Sequence, residues 1–135
     1  MGRFKYAVSF RIEHPGMEPQ EISLRLSLTP DQSWKAGDVR KSSKGTPLKG
    51  RYKNTFWRHS VKHTPDMSLV DCLKEFTSNL ESNIEFLKEI RYTGGRCEYF
   101  IGWFSGHNSG EMLDFELLNK LGNLKIDLSL DVYGV

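Results

Sequence analysis

Between residues 69 and 90 the apolar side chains Leu69, Leu73, Phe76, Leu80, Ile84, Leu87 and Ile90 recur at three- and four-residue spacing, a period that fits one face of a helix and neither face of a strand. A helix of that length needs an apolar surface to lie on. The sequence provides one on either side, where the period changes to two. In RFKYAVSFRI, residues 3 to 12, Phe4, Tyr6, Val8, Phe10 and Ile12 share one side and Arg3, Lys5, Ala7, Ser9 and Arg11 the other. In NLKIDLSLDV near the end, Leu124, Ile126, Leu128, Leu130 and Val132 point inward against Lys125, Asp127, Ser129 and Asp131. Each reads as a strand with one wet face. CEYFIGWF, apolar on both sides, reads as a central strand.

The remaining segments complete the pattern. Pro19 is a helix-start signal that conflicts with the period-two run of Ile22, Leu24, Leu26 and Leu28, and a short helix ending near Thr29-Pro30 is predicted. Residues 37 to 52, rich in Gly, Ser, Pro and Lys, predict an irregular loop. Residues 53 to 61 predict a strand with Thr55, Trp57, His59 and Val61 on one face. Thr64-Pro65-Asp66 predicts the start of the long helix, and TSNLESN a bend within it, with Gly94-Gly95 at its end. A further helix is predicted from about Glu111 to Leu121, capped by Asn108 or Ser109 and stopped at Gly122 in a left-handed cap. The order predicts an α+β two-layer sandwich, a mixed sheet with helices on one face, closed by a parallel strand-helix-strand crossover. At 135 residues this is one domain spanning 1–135, long enough to bury a core without disulfides or metal.

The stretches MEPQEISLRLSLTPDQSWKAGDVR, NTFWRHS, FIGWFSGHNSG and LKIDLSLDVYG resemble a bacterial family of uncharacterised domains, DUF4279. The resemblance rests on the order of Pro19, Ile22, Pro30, Ser33, Trp34, Gly37, Asp38, Trp57, Asp131 and Tyr133. It implies a small cytoplasmic bacterial protein of the kind encoded by accessory or immunity genes beside secreted toxins. It implies no catalytic residues.

Candidate catalytic and metal-binding groups do not assemble from the sequence. His107, between Gly106 and Gly110, sits where a phosphate-binding helix start could lie, but Glu111, Asp114 and Glu116 place negative charge at the same end. It is expected in an exposed connection. His59 and His63 are four apart in a strand pattern, about 13 Å at roughly 3.3 Å per residue, too far to share an ion. His14 precedes Pro15 with no partner in view. The same spacing argument separates Asp127 from Asp131 as an acid and base pair. Ser105 and Ser109 lack a base and orienting acid. Cys72 and Cys97, the two cysteines, are expected as buried free thiols. No metal and no cofactor is expected, and no enzyme. No apolar run is long enough to cross a bilayer, and no export signal is read at the start, so the expected location is cytoplasmic, without a membrane partner.

Charge is distributed unevenly. Of 19 Lys and Arg, eight fall between Val39 and Pro65 with no acid among them: Arg40, Lys41, Lys44, Lys49, Arg51, Lys53, Arg58 and Lys62. The rest of the chain holds 11 basic and all 17 acidic residues. A segment of +8 therefore stands beside a remainder of −6. Arg40, Lys41, Lys44, Lys49, Arg51, Lys53 and Arg58 are the expected partner-binding residues, docking on a protein with an acidic surface that they would bind and neutralise. The alternative is a nucleic-acid-binding module using segment 40–62, with Tyr52, Phe56 and Trp57 as stacking faces.

Overall fold

The structure, a computed structural model, describes residues 4–134. The opening strand β1 (Lys5–His14) has the predicted alternation, Val8, Phe10 and Ile12 being buried; Arg3, its predicted first residue, lies outside the described residues. Next comes α1 (Pro19–Leu26), with Pro19 at its N-terminal end and Ser27 in a left-handed cap at φ 55°. A helix, not a strand, resolves the conflict in this segment. Ile22 and Leu26, one turn apart, are buried, whereas Leu24 is 81% exposed.

Four more strands join β1 in one sheet: β2 (Gln32–Trp34), β5 (Thr55–Val61), β6 (Arg96–Phe104) and β7 (Ile126–Tyr133). The order is β2-β5-β1-β6-β7. β1 is antiparallel to both neighbours, with Phe10 opposite His59 on one side and Tyr99 on the other. β6 and β7 are parallel in one-to-one register from Cys97–Ile126 to Phe104–Tyr133, as the closing crossover predicts. The fold is therefore the expected α+β arrangement of a mixed sheet with helices on one face.

The predicted irregular loop is instead a second, two-stranded sheet, β3 (Val39–Lys41) and β4 (Pro47–Arg51). Every residue of both strands is exposed. With no buried face there is no alternation to read, and backbone pairing with a turn at Ser42–Thr46 makes the hairpin. β2, only three residues long, escapes sequence reading for the same reason.

The helical layer consists of α2 (Leu69–Leu80) and α3 (Ile84–Tyr92), joined by a 3-10 turn at Glu81–Asn83 where a bend is predicted, and of α4 (Phe115–Leu124). α2 starts later than Thr64-Pro65-Asp66 suggests. Those residues form a turn closed by Met67 N–H donating to Thr64 O, and the Ser68 hydroxyl caps the helix by accepting from Asp71 N. The cap just ahead of Leu69, the first buried residue of the stripe, prevails over the proline signal.

α4 also differs from its predicted span. Asp114, rather than Asn108 or Ser109, caps it by accepting from Leu117 N at 2.9 Å. The helix runs through Gly122, and Lys125 at φ 61° takes the left-handed position. Burial of Leu117, Leu121 and Leu124 at helical spacing explains the extension, since one interior glycine costs only about 1 kcal/mol.

Between the layers lies the core. Phe10, Ile12, Trp57, Tyr99 and Ile101 from the sheet and Leu73, Leu87 and Ile90 from the helices have no exposed surface. Its polar atoms are satisfied: the Tyr99 and Thr77 hydroxyls bond at 2.7 Å, and Trp57 Nε1 donates to Ser23 Oγ at 3.0 Å. Gly95 lets the helix hairpin onto β6, because a Cβ there would sit 2.6 Å from Glu13 O and 2.9 Å from Ile90 Cγ2.

The far face of the sheet carries no helix. β6 does occupy an interior position, but its second face is covered by side chains, Arg11 lying 3.9 Å over the Phe100 ring and Phe104 lying over Gly102. At the sheet edge, Leu130 and Val132, expected inward, are 55% and 66% exposed. Leu124, assigned to that strand by pattern, is the last residue of α4.

Candidate functional site

The hairpin is held at its base by a turn that the sequence SWKAGD encodes. Asp38 Oδ2 accepts from Lys35 N at 3.0 Å and Asp38 N donates to Lys35 O, an arrangement favoured by a short acidic side chain. Gly37, at φ +93°, takes a conformation that L side chains rarely adopt. Its N–H donates to Tyr52 O at 2.8 Å, and Tyr52 N–H donates to Asp38 O at 3.0 Å. Arg51 adds a clamp, Nη1 donating to Gly37 O at 2.8 Å.

Aromatic side chains brace this base. Trp34 of β2 stacks with Tyr52 at 4.1 Å between centroids and with Phe56 of β5 at 4.7 Å, while its Nε1 donates to Asn54 O. Between β2 and the hairpin lies an open cleft of ≈ 730 Å³, lined by Trp34, Asp38, Lys41, Arg51 and Tyr52 among others. Lys35 ties the base to the start of α1 through a 2.6 Å ion pair with Glu18.

Six of the seven predicted residues are brought together here. Arg40 and Lys41 lie on β3, Lys44 in the turn, Lys49 and Arg51 on β4, and Lys53 two residues beyond; all are exposed. Among the described residues none of the six forms an ion pair. Arg58 is placed elsewhere. It projects from β5 onto the open sheet face, where Nε and Nη2 hold Asp31 Oδ2 at 2.9 and 2.8 Å. Burial pushes the Asp31 carboxyl up, but hydrogen bonds from Arg58 and from Ser60 outweigh it and hold the group below the usual carboxylate range. Asp31 is 27 residues away in sequence, a separation at which no local pattern signals a partner.

Of the predicted stacking faces, Trp57 is removed by the fold: it has no exposure and belongs to the core. Tyr52 and Phe56 are stacked against Trp34 and only partly accessible. Trp34, which the charge pattern did not single out, is the centre of this aromatic group.

The remaining candidates have structural surroundings. His107 is an exposed loop residue whose backbone N and O bond with the Ser105 hydroxyl, and Ser109 Oγ accepts from Trp103 Nε1 at 3.0 Å. His63 stacks on Tyr6 at 4.0 Å, and His59 Nδ1 lies 2.7 Å from Thr29 O. His14, without a partner in sequence, has three: Nδ1 accepts from Gly16 N and Met17 N, and Nε2 lies 2.7 Å from Thr93 Oγ1. Asp127 and Asp131 lie on the open face of β7, Asp131 accepting from the Tyr133 hydroxyl. Cys72 and Cys97 are free and buried, and burial pushes the Cys97 thiol up to about 12, far from the thiolate form that reactive cysteines need. Among the described residues no three or more His, Cys, Asp or Glu side chains gather as a metal site, and no helix is long and apolar enough to cross a membrane.

A family model described as a domain of unknown function, DUF4279, matches residues 4–135. The chain belongs to the DUF4279 family. No curated protein and no solved structure matches it. The residues that carry the resemblance to DUF4279 can now be assigned positions. Pro19, Ile22 and Trp57 build the helix-sheet core, and Ser33, Trp34, Gly37 and Asp38 build β2 and the turn that presents the hairpin.

Proposed function

We propose that this protein is a non-enzymatic interaction domain that binds and neutralises a protein with an acidic surface through the β3–β4 hairpin, as an immunity or accessory factor in the bacterial cytoplasm. One observation carries the proposal: among the described residues, six cations on an exposed hairpin form no ion pair. Had the hairpin served only to offset the acidic helices, its cations would be expected to meet those acids. Helical acids that do pair take other cations, Asp114 with Lys74 at 2.5 Å and Glu81 with Lys120 at 3.1 Å. Such a cationic projection steers an acidic partner and sets its orientation. Nucleic acid has less support, because Trp57 is buried and Tyr52 and Phe56 spend stacking surface on Trp34.

The test is affinity capture of the tagged protein from host lysate after nuclease treatment, at low and high salt, with mass spectrometry of what is retained. The expected result is one stoichiometric protein that survives nuclease and is lost in the Arg40→Glu, Lys44→Glu, Lys49→Glu, Lys53→Glu variant, which spares the Arg51 clamp. Capture that disappears with nuclease would replace this reading with nucleic-acid binding.

A further inference from the structure

Large apolar side chains in solvent are concentrated in the last third of the chain. Seven of the eleven among the described residues fall between Phe104 and Tyr133. Phe115 is 77% exposed and Leu118 47% on α4, and Leu130 55% and Val132 66% on β7. At 3.6 residues per turn, Leu118 lies about 160° around α4 from Lys120, which faces the α2–α3 segment through Glu81. Leu118 is therefore on the flank turned toward the β7 edge. A concentration of this kind marks an interaction surface.

The two edges of the sheet differ in how they end. β2 offers three residues beside the hairpin, whereas β7 offers eight in unbroken register, without proline, glycine or bulge. A long regular edge flanked by exposed apolar side chains is a template for another strand.

We infer that a second copy of this chain adds antiparallel to β7 about a two-fold axis at Leu130, making a ten-stranded sheet with both helical layers on one side. The order of side chains selects both the occupant and the register. Helix-side residues must face helix-side residues, so the axis passes through a residue. An axis at Leu130 sets Leu128 opposite Val132 of the second copy on the helix side, and on the open side Ser129 opposite Asp131 and Asp127 opposite Tyr133, so no two carboxylates stand directly opposite. An axis at Ser129 would oppose Asp127 to Asp131 twice, and like charges directly opposite destabilise a pair. An axis at Leu128 would pair only residues 126 to 130 and leave Val132 in solvent. Phe115, Leu118, Leu130 and Val132 each offer on the order of 100 Å², roughly half of the about 800 Å² per partner of a standard interface, and the strand edge adds to it. The basic hairpins stand at the two far ends, so this association does not depend on them.

Sedimentation equilibrium from low to high micromolar concentration tests the inference. The wild-type chain is expected to have the mass of two copies. Leu130→Lys should weaken association at least tenfold with circular dichroism and melting retained, and Leu24→Lys on α1 should leave it unchanged. Oxidative trapping tests the register. Leu130→Cys should crosslink to its own counterpart, the native thiols being buried, while Val132→Cys should not, because the two copies of residue 132 stand about 13 Å apart along the strands. A wild-type chain with the mass of one copy throughout, a dimer indifferent to Leu130→Lys, or equal crosslinking at both positions would each overturn the inference.

Discussion

The helix-covered face of the sheet and the β3–β4 hairpin are ordered by different forces. In the first, Phe10, Trp57, Tyr99 and Ile101 are wholly inaccessible, and burial at about 25 cal/mol per Å² of apolar surface provides the stability. In the second no strand residue is buried, and backbone pairing, the Gly37–Asp38 turn and the Trp34–Tyr52 stack define the shape. Apart from Arg51, whose guanidinium clamps Gly37 O, the cations of the hairpin are exposed and contribute little to the fold. They can therefore change without loss of the molecule, while the core can hardly change at all.

That contrast is open to measurement. Trp57→Ala removes a core aromatic and its bond to Ser23, and urea titration should report a loss of about 3–5 kcal/mol; a loss under 1 kcal/mol would show that the core is not where the stability lies. Thr77→Val strands the Tyr99 hydroxyl, bonded at 2.7 Å in the buried core, and should cost roughly 1–3 kcal/mol in the same titration.

A smaller effect separates the two regions by pH. His14 accepts two backbone amides through Nδ1 and so carries its proton on Nε2 as a neutral ring, and burial holds its pKa below the ordinary value of 6.5. The unfolded chain then takes up the proton first as pH falls. Stability from this group is complete above about 6.5 and declines as pH drops through it. The difference in unfolding free energy between wild type and His14→Gln should shrink between about pH 7 and 5; a constant difference would exclude titration of His14 as its source. Smallest of all, the four hairpin reversals named above should each shift stability by no more than about 0.5 kcal/mol while abolishing partner capture. Unfolding of that variant would erase the distinction between the regions.

Most of the core was legible because each core element repeats a pattern. The stripe from Leu69 to Ile90 and the alternation of Val8, Phe10 and Ile12 are local records of which side is buried. Capping was less legible. Gly122 looked like a stop and Thr64-Pro65 like a start, yet burial of Leu124 and the Ser68 hydroxyl set the real ends. The charge surface was legible as composition only, since six cations were grouped correctly while Arg58 was claimed 27 residues away by Asp31.

By itself the sequence determined the α+β class, the family, the buried faces and the segregation of charge, all of which are written in residue order and spacing. Only the tertiary structure decided that the glycine- and lysine-rich stretch is a hairpin, that Trp34 and not Trp57 stands at the basic surface, and that Leu130 and Val132 lie uncovered at the sheet edge. These depend on which distant segments meet. A side chain's exposure is set by what the fold places over it, and period two along β7 reports the side on which Leu130 lies without reporting that it stays 55% exposed there.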